Sequence, residues 1–287
     1  MRSRVVVVAL DGLRRDMVLS TTTPNLVGFA EKSAVFANHR SAFPSATRVV
    51  SACFATGCWP AKHGLAGNSI ALMENEVLTP HDVGRPDFMD HLRSNRGYCL
   101  AVPTLSERLA RAGEEAMLFS NVSPGAARAH DPDGHGWVLH RAWSHGPGLR
   151  RLTGAEAMEH VTNDIAGDAI LTEAFLERAL SGREAALAVL WLGEPDATQH
   201  TVPLGAPEAM EAIAAADARF AEVLAAVEAR RQAGEDILLI ACSDHGHQTV
   251  QAVVDIESEL VTAGLKRDLA DTGIVSVSNG TSALVYL

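Results

Sequence analysis

Three segments of the chain are continuous apolar runs in which polar and apolar positions do not alternate. They are Val5–Leu10, Ala186–Leu192 and Ile237–Cys242. Such runs are typical of strands buried on both faces of a parallel sheet. An acidic side chain follows each run within a few residues, and these are Asp11, Asp196 and Asp244. The pattern predicts three buried strands that each deliver a carboxylate beyond their C-terminal end, where open α/β sheets bind their ligands.

Helical patterns lie between the apolar runs. They cover Pro24–Lys32, Arg48–Ala55, Leu105–Ala112, Ala155–Leu180 and Pro207–Ala233. The last two are rich in alanine with interspersed charges, as expected of helices that cover a sheet. The alternation predicts an α/β fold with a mostly parallel central sheet flanked by helices.

Residues 120–153 interrupt this alternation with glycine, proline and few periodic apolar positions. We predict a long irregular loop, or part of a cap, for this segment. Histidines recur there and just beyond at a regular step, at His130, His135, His140, His145 and His160. This spacing matches no metal-binding motif.

The composition is that of an ordinary globular protein, with 47% hydrophobic and 21% charged residues. The formal net charge of -11 argues against a nucleic-acid surface, so any phosphate chemistry must depend on local charge such as bound metal ions. The sequence contains no apolar run of the roughly 20 residues that a membrane span needs. Its four cysteines form no CxxC pair, and we predict a cytoplasmic protein with no membrane partner.

Two of the acidic positions have a histidine nearby. Asp196 and His200 are four residues apart, so they can meet on one face of a helical turn. Asp244 and His245 are adjacent in a loop that follows a strand. Mixed carboxylate and imidazole ligands suit zinc, although manganese or iron stays open.

A hydroxyl-bearing turn, Pro44–Ser45–Ala46–Thr47, leads directly into the second helical pattern. Ser45 or Thr47 could simply cap the helix. A hydroxyl at this place also lies beside free backbone N–H groups and the positive end of the helix dipole, which suit a phosphate and an alkoxide.

Taken in order, these motifs resemble the alkaline phosphatase superfamily. The resemblance is to the type I phosphodiesterase and nucleotide pyrophosphatase branch, which includes phosphonoacetate hydrolases. It is carried by Leu10–Asp11–Gly12, Pro44 to Thr47 with Thr56–Gly57, His63–Gly64 with Asn68, Pro195–Asp196 with His200, and Ser243–Asp244–His245–Gly246. It extends to about residue 250. The family's nucleophile could align either with Ala42, directly before Phe43–Pro44, or with Thr47. The spacing to Thr56–Gly57 and Asn68 favours Thr47.

The resemblance implies a site with two divalent metal ions, expected to be zinc. One metal would be held by Asp11, Thr47, Asp244 and His245. The other would be held by Asp196, His200 and a further histidine. Asn68 would donate a hydrogen bond to a phosphoryl oxygen, and Arg48 is a weaker candidate for substrate binding.

The family's last histidine ligand lies near its C-terminus, but no histidine follows His247 here. We therefore expect residues 1–250 to form the catalytic core and 251–287 to begin a cap or an incomplete C-terminal region of a longer protein. Alternatively, His247 or a histidine of the 130–160 segment supplies the ligand. A third possibility is a metal-binding protein that has lost catalysis.

The predicted function is hydrolysis of phosphodiesters or nucleotide pyrophosphates through a phosphothreonine-type intermediate. The same site would also suit a C–P bond, as in phosphonoacetate, or a phosphomonoester. The expected partner is thus a small phosphorylated or phosphonate substrate. A non-catalytic metal-binding protein is the alternative from another class.

Overall fold

The computed structural model describes residues 3–183 and 185–287. The strands in these ranges are β1 (Ser3–Leu10), β2 (Ser69–Glu74), β3 (Val77–Asp82), β4 (Ala116–Ser120), β5 (Trp137–His140), β6 (His145–Gly146), β7 (Arg150–Arg151), β8 (Leu187–Leu192), β9 (Asp236–Cys242), β10 (Val275–Ser278) and β11 (Ala283–Tyr286). Strands β1, β8 and β9 coincide with the three apolar runs of the sequence, and each starts within two residues of the start of its run.

The α-helices of the same ranges are α1 (Pro24–Ala30), α2 (Thr47–Thr56), α3 (Pro60–His63), α4 (Phe88–Arg96), α5 (Leu105–Arg111), α6 (Pro124–Ala129), α7 (Ile165–Phe175), α8 (Asp196–Gln199), α9 (Pro207–Gln232) and α10 (Ile256–Thr262). A π-helical turn, Leu176–Gly182, continues α7. Within these ranges, none of the helices combines the length and the apolar character that crossing a membrane requires.

The central sheet of the described residues has seven strands in the order β7-β6-β5-β4-β8-β1-β9. Strands β5, β4, β8, β1 and β9, which are neighbours in this order, run parallel. The short strands β6 and β7 are antiparallel to their neighbours. Two separate hairpins, β2–β3 and β10–β11, complete the strand pairing. The predicted α/β fold with a mostly parallel central sheet flanked by helices is confirmed.

The central strands are apolar without alternation because both faces of the sheet are covered. In β1, Val6, Val8 and Leu10 pack into a core shared with α7 and α9. Val7 and Ala9 point to the other face, where they pack with residues of α6 and with Trp191. The double burial explains the run of valines at the start of the chain.

The expectation for Ile237–Cys242 needs correction, because β9 is an edge strand. It pairs with β1 on one side, and Leu238 and Ile240 remain 56% and 39% exposed. A continuous apolar run predicts a strand, but it does not predict whether one or both faces of the sheet are covered at that strand.

The prediction of a long irregular loop at 120–153 also needs correction, and the alternative that the segment is part of a cap stays a prediction. It contains α6 and contributes β5, β6 and β7 to the central sheet. These strands have only two to four residues, and two of their buried side chains, His140 and His145, are histidines, so apolar periodicity does not reveal them. The helix expected at Ala155–Leu180 starts later, because α7 begins at Ile165. Asp164 caps this start by accepting a hydrogen bond from the Gly167 N–H.

Candidate active site at the strand ends

Two carboxylates lie side by side at the C-terminal ends of β1 and β9. Asp11 directly follows β1 and is fully buried, with Oδ2 accepting a 2.9 Å hydrogen bond from Trp191 Nε1. Asp244 follows β9, and its Oδ1 accepts a 3.1 Å hydrogen bond from the Gly12 N–H. The parallel pairing of β1 with β9 thus delivers both carboxylates to one point, as the strand-end pattern predicts.

Thr47 is the first residue of α2 and lies beside these carboxylates. The residue at the cap position is Ala46, which provides no side-chain cap. The Thr47 hydroxyl lies 3.0 Å from His245 Nε2 and 3.5 Å from Asp11 Oδ1. The capping alternative is thereby excluded for Thr47, because its hydroxyl points toward the acidic cluster and not to the helix N–H groups.

Asp11, Asp244 and His245 form a group in which potential metal-ligand atoms lie within 4.8 Å of one another. His245 Nε2 is 3.4 Å from both Asp11 Oδ1 and Asp244 Oδ2. Asp244 Oδ2 is buried and has no hydrogen-bond partner among the described residues. A buried carboxylate oxygen without a donor is costly unless a cation faces it, so this donor set fits a divalent metal ion.

The electrostatics of the two buried carboxylates agree with that fit. Burial, followed by the charges of Asp244 and Asp196, raises the pKa of Asp11 well above its ordinary value. Burial also raises the pKa of Asp244, although His245 and the Gly12 N–H oppose the rise. Both carboxylates would be stabilised in their ionised form by a positive charge between them.

A second group lies next to the first and is formed by Asp196, His245 and His247. His247 Nε2 is 2.5 Å from Asp196 Oδ1, and His200 Nε2 is 3.5 Å from Asp196 Oδ2. Although burial opposes it, hydrogen bonding to His247 and the neighbouring imidazoles lower the pKa of Asp196. The rings of His200 and His247 are 4.9 Å apart, edge to face.

His247 therefore occupies the side of the cluster for which sequence analysis lacked a histidine. Of the two sources considered there, the 130–160 segment contributes no member to either strand-end group of the described residues. His247 stands two residues beyond His245, and this His-Gly-His spacing is the signal available in the sequence. Spacing alone could not show that both rings turn to the same carboxylates.

The backbone at Gly12 permits the approach of His247. Gly12 has φ of +70°, and a Cβ atom there would lie 2.9 Å from His247 Cδ2 and 3.2 Å from Asp196 Cβ. Any side chain at position 12 would strain the backbone and would displace His247 and Asp196.

Arg48 follows Thr47 in α2, and the Asn68 side chain contacts its backbone. Asn68 Oδ1 accepts a 3.2 Å hydrogen bond from the Arg48 N–H, which leaves its NH₂ group as the available donor. The Arg48 guanidinium binds Ser123 Oγ at 3.1 Å and lies 3.5 Å from Asp82 Oδ1. These contacts favour a structural role for Arg48 over the weaker expectation of substrate binding.

Buried polar groups support the loops that carry the site. Asp168 accepts hydrogen bonds from the N–H groups of Gly193 and Glu194, just before Asp196, and from Asn121 Nδ2. Burial raises the pKa of Asp168 to about 6, although these donors oppose the rise. The side chain thereby fixes the path of the chain into α8.

His63 connects two helices near the site through its ring nitrogens. Its Nδ1 accepts a hydrogen bond from the Leu65 N–H, and its Nε2 lies 3.3 Å from Cys53 Sγ on α2. Burial lowers the pKa of His63 to about 4, so the ring is neutral at physiological pH. It connects α3 to the helix that presents Thr47.

Comparison with known proteins decides the family. The model of the type I phosphodiesterase / nucleotide pyrophosphatase family matches residues 5–286. The chain belongs to this family. A curated relative from Schizosaccharomyces pombe, described as an uncharacterized pyrophosphatase/phosphodiesterase, is 35% identical over 68 residues, which are 24% of this chain and 14% of the relative.

Solved structures agree with the family at the level of the fold. Murine ectonucleotide pyrophosphatase / phosphodiesterase 5, in an inactive threonine-to-alanine variant bound to AMP, superposes with a TM-score of 0.65 at 19% identity. The match covers 99% of this chain and 66% of that one, so the chain spans just under two thirds of the murine protein. Phosphonoacetate hydrolase from Sinorhizobium meliloti, bound to phosphonoacetate, superposes with a TM-score of 0.68 at 17% identity over 100% of this chain and 70% of that one.

The resemblance inferred from separated motifs is thus confirmed, both for the phosphodiesterase family and for the alkaline phosphatase-like fold. The structure brings Asp11, Thr47, Asp196, Asp244 and His245 into one cluster and places His200 at its exposed edge. Their individual roles as ligands and nucleophile stay predictions.

Proposed function

We propose that the chain is a metal-dependent hydrolase of phosphodiesters or nucleotide pyrophosphates, with Thr47 as its nucleophile. The observation that carries this proposal is the position of the Thr47 hydroxyl. It lies at the N-terminus of α2, unused by the helix, 3.0 Å from His245 and 3.5 Å from the buried Asp11. A hydroxyl in this position lies beside both the candidate metal-ligand group and the free N–H groups that suit a phosphoryl group.

Two divalent ions, with zinc the best fit to these ligands, would occupy the two strand-end groups. Asp11, Asp244, His245 and Thr47 would hold one ion, and Asp196, His200 and His247 would hold the other. When bound, the ions would lower the pKa of the Thr47 hydroxyl and offset the negative charge that grows on the phosphoryl oxygens.

The reaction then follows from the placement of the protein groups. Thr47 Oγ1 gives its proton to water and attacks phosphorus in line; its bond to phosphorus forms, the bond to the leaving oxygen breaks, and the departing alcohol or phosphate takes up a proton from water. Asn68 Nδ2 is the donor available to a phosphoryl oxygen. Water then cleaves the phosphothreonine ester and regenerates the hydroxyl.

A kinetic comparison of hydroxyl variants tests this proposal. With zinc-loaded protein and the p-nitrophenyl ester of a nucleoside monophosphate, Thr47→Ala should lower kcat/KM by at least ~10³-fold. Ser45→Ala, which removes an exposed hydroxyl two residues earlier, is the matched control and should keep full activity. Acid quenching during turnover should leave a phosphoryl adduct on the peptide that contains Thr47, and equal activity of Thr47→Ala and wild type would reject the proposal.

The nature of the substrate bond needs a substrate panel. Structural similarity to a phosphonoacetate-bound hydrolase keeps a C–P bond as a second candidate, and phosphomonoesters a third. Phosphonoacetate, a nucleoside diphosphate sugar and p-nitrophenyl phosphate distinguish these classes by their kcat/KM ratios. A non-catalytic metal-binding protein would bind one metal ion or none at this site and hydrolyse none of them.

We also propose a cytoplasmic location. The four cysteines of the chain, Cys53, Cys58, Cys99 and Cys242, are all free thiols, as is usual in a reducing compartment.

A further inference from the structure

A separate group of metal-ligand side chains lies on the hairpin β2–β3 and the neighbouring helix α4. Its members are Glu74 at the end of β2, His81 on β3 and His91 on α4. We propose that Glu74, His81 and His91 form an additional binding site for a divalent transition-metal ion, with zinc as the best fit, that links the hairpin to the helix.

The three side chains converge on one carboxylate oxygen. His91 Nε2 lies 2.5 Å and His81 Nε2 lies 3.1 Å from the same Glu74 Oε1. The two imidazole rings are 4.5 Å apart with 34° between their planes, and the Nε2 atoms of both lie beside this one oxygen. Two imidazoles and a carboxylate are a common ligand set for zinc.

The spacing of these atoms is close to that of a metal-bound set. Zinc binds histidine nitrogen and carboxylate oxygen at about 2.0–2.2 Å, so ligands at tetrahedral corners stand roughly 3.3 Å apart. The His81 contact already has nearly this length, and a small rotation of the half-exposed His91 would lengthen the other. The exposed side of His91 leaves room for water as a fourth ligand.

Hydrogen bonding alone does not satisfy this group. His81 Nε2 is buried, yet within the described part of the chain it has no hydrogen bond of good geometry, despite its short contact with Glu74. The carboxylate oxygen is already used by His91. A metal ion placed between the three atoms would satisfy them together, which ordinary hydrogen bonding does not.

A paired hairpin that packs on α4 carries the three positions. Asn75 and Glu76 have φ of 49° and 66°, as in the two-residue turns that join twisted strands, and the pairs Glu74–Val77 and Ile70–His81 follow in register. Glu74 and His81 therefore share the face on which Ile70 and Leu72 pack in one core cluster with residues of α4. His91 lies on that helix and completes the group.

Zinc stoichiometry tests the site directly. Zinc bound per chain, measured with a chromophoric chelator as competitor, should fall by one ion in His91→Ala and in Glu74→Gln. His39→Ala, which removes an exposed histidine elsewhere, is the matched control and should bind as much zinc as wild type. Hydrolytic activity should not change in any of the three variants.

A second measurement separates this site from the strand-end site. In a chain carrying Asp244→Asn and His247→Ala, zinc alone should still raise the melting temperature, because an ion linking hairpin and helix binds the folded state. Adding His91→Ala should abolish that rise and weaken the remaining zinc binding by at least ~10-fold. If His91→Ala binds the same number of zinc ions with the same affinity as its parent, the site does not exist, whether or not the protein proves to be a hydrolase.

Discussion

The strand-end site and the histidine-rich segment 130–145 both place imidazoles beside buried carboxylates, but they satisfy them differently. At the strand ends, His245 faces Asp11, Asp196 and Asp244 within 3.9 Å, and Asp244 Oδ2 has no hydrogen bond. In the histidine segment, Asp131 accepts hydrogen bonds from the N–H groups of His135 and Gly136.

Two histidines of the segment, His140 and His130, are likewise engaged by the fold, whereas the buried His145 Nε2 has no hydrogen-bond partner among the described residues. His140 Nδ1 accepts hydrogen bonds from the N–H groups of Ala142 and Trp143, and its Nε2 donates to the Val122 carbonyl. His130 packs edge-on against Trp191 and beside Phe54. The two regions therefore differ in their carboxylates: backbone N–H groups bind both oxygens of Asp131, whereas Asp244 Oδ2 has no donor and is left for a cation.

The largest effect that would test this comparison is on activity. Replacing Asp244 with asparagine keeps its shape but removes the charge that faces the proposed metal ion, and we expect kcat/KM to fall at least ~10²-fold. Asp131→Asn, the same change in the histidine segment, should leave kcat/KM of the folded enzyme within a few-fold of wild type. Comparable losses in both variants would erase the distinction between the two regions.

Removing single histidines from the strand-end cluster should reduce metal binding. His247→Ala should lower the affinity of one metal ion by at least ~10-fold, because Asp196 loses its 2.5 Å partner. Titration with zinc in a competing chelator measures this. His145→Ala is the control from the histidine segment, and a larger loss of zinc there than in His247→Ala would overturn our assignment of the two regions.

Stability without metal should change in opposite directions in the two aspartate variants. Asp244→Asn relieves repulsion with Asp11 and Asp196, so the chelator-treated protein should become more stable. Asp131→Asn points an NH₂ group at one of the two backbone N–H donors that bind this side chain and should cost about 1–3 kcal/mol. Urea unfolding in the presence of chelator checks both signs, and destabilisation by Asp244→Asn would contradict the electrostatic argument.

The smallest effect concerns pH. Burial lowers the pKa of His130 to about 3. As pH falls through about 6.5, this histidine becomes protonated in the unfolded chain but stays neutral in the folded chain. This histidine therefore contributes a loss of stability as pH falls from about 6.5 toward 3, with a slope of up to about 1.4 kcal/mol per pH unit.

His130→Leu should flatten that slope in metal-free protein. Urea midpoints at pH 6.5, 5.5 and 4.5 provide the measurement, with the change relative to wild type as the readout. Identical slopes in the two proteins would show that His130 is hydrated or protonated in the folded state.

Much of the site was predictable because its signals are local. Strong apolar runs mark β1, β8 and β9, and the residues that follow them must emerge at one edge once the strands are parallel. The pair Asp196 and His200 met as the four-residue spacing predicts. Thr47 was predicted from its spacing to motifs downstream, and the structure places its hydroxyl in the cluster.

The parts that were missed depend on contacts between distant segments. Strands β5 and β6 carry buried histidines, and β7 consists of two arginines. Their place in the sheet therefore follows from strand pairing and not from apolar periodicity. The exposure of Leu238 and Ile240 depends on strand order, which hydrophobicity does not encode.

The sequence by itself determined the family, the α/β alternation and the residues that gather around Thr47, because each of these is written in short motifs and apolar runs. Only the tertiary structure decided which histidines face unsatisfied carboxylates. His247 turns to Asp196, His81 and His91 turn to Glu74, and His140 turns to the backbone. The reason is physical: a histidine's role depends on which hydrogen-bonding groups surround it after folding, and those groups come from distant parts of the chain.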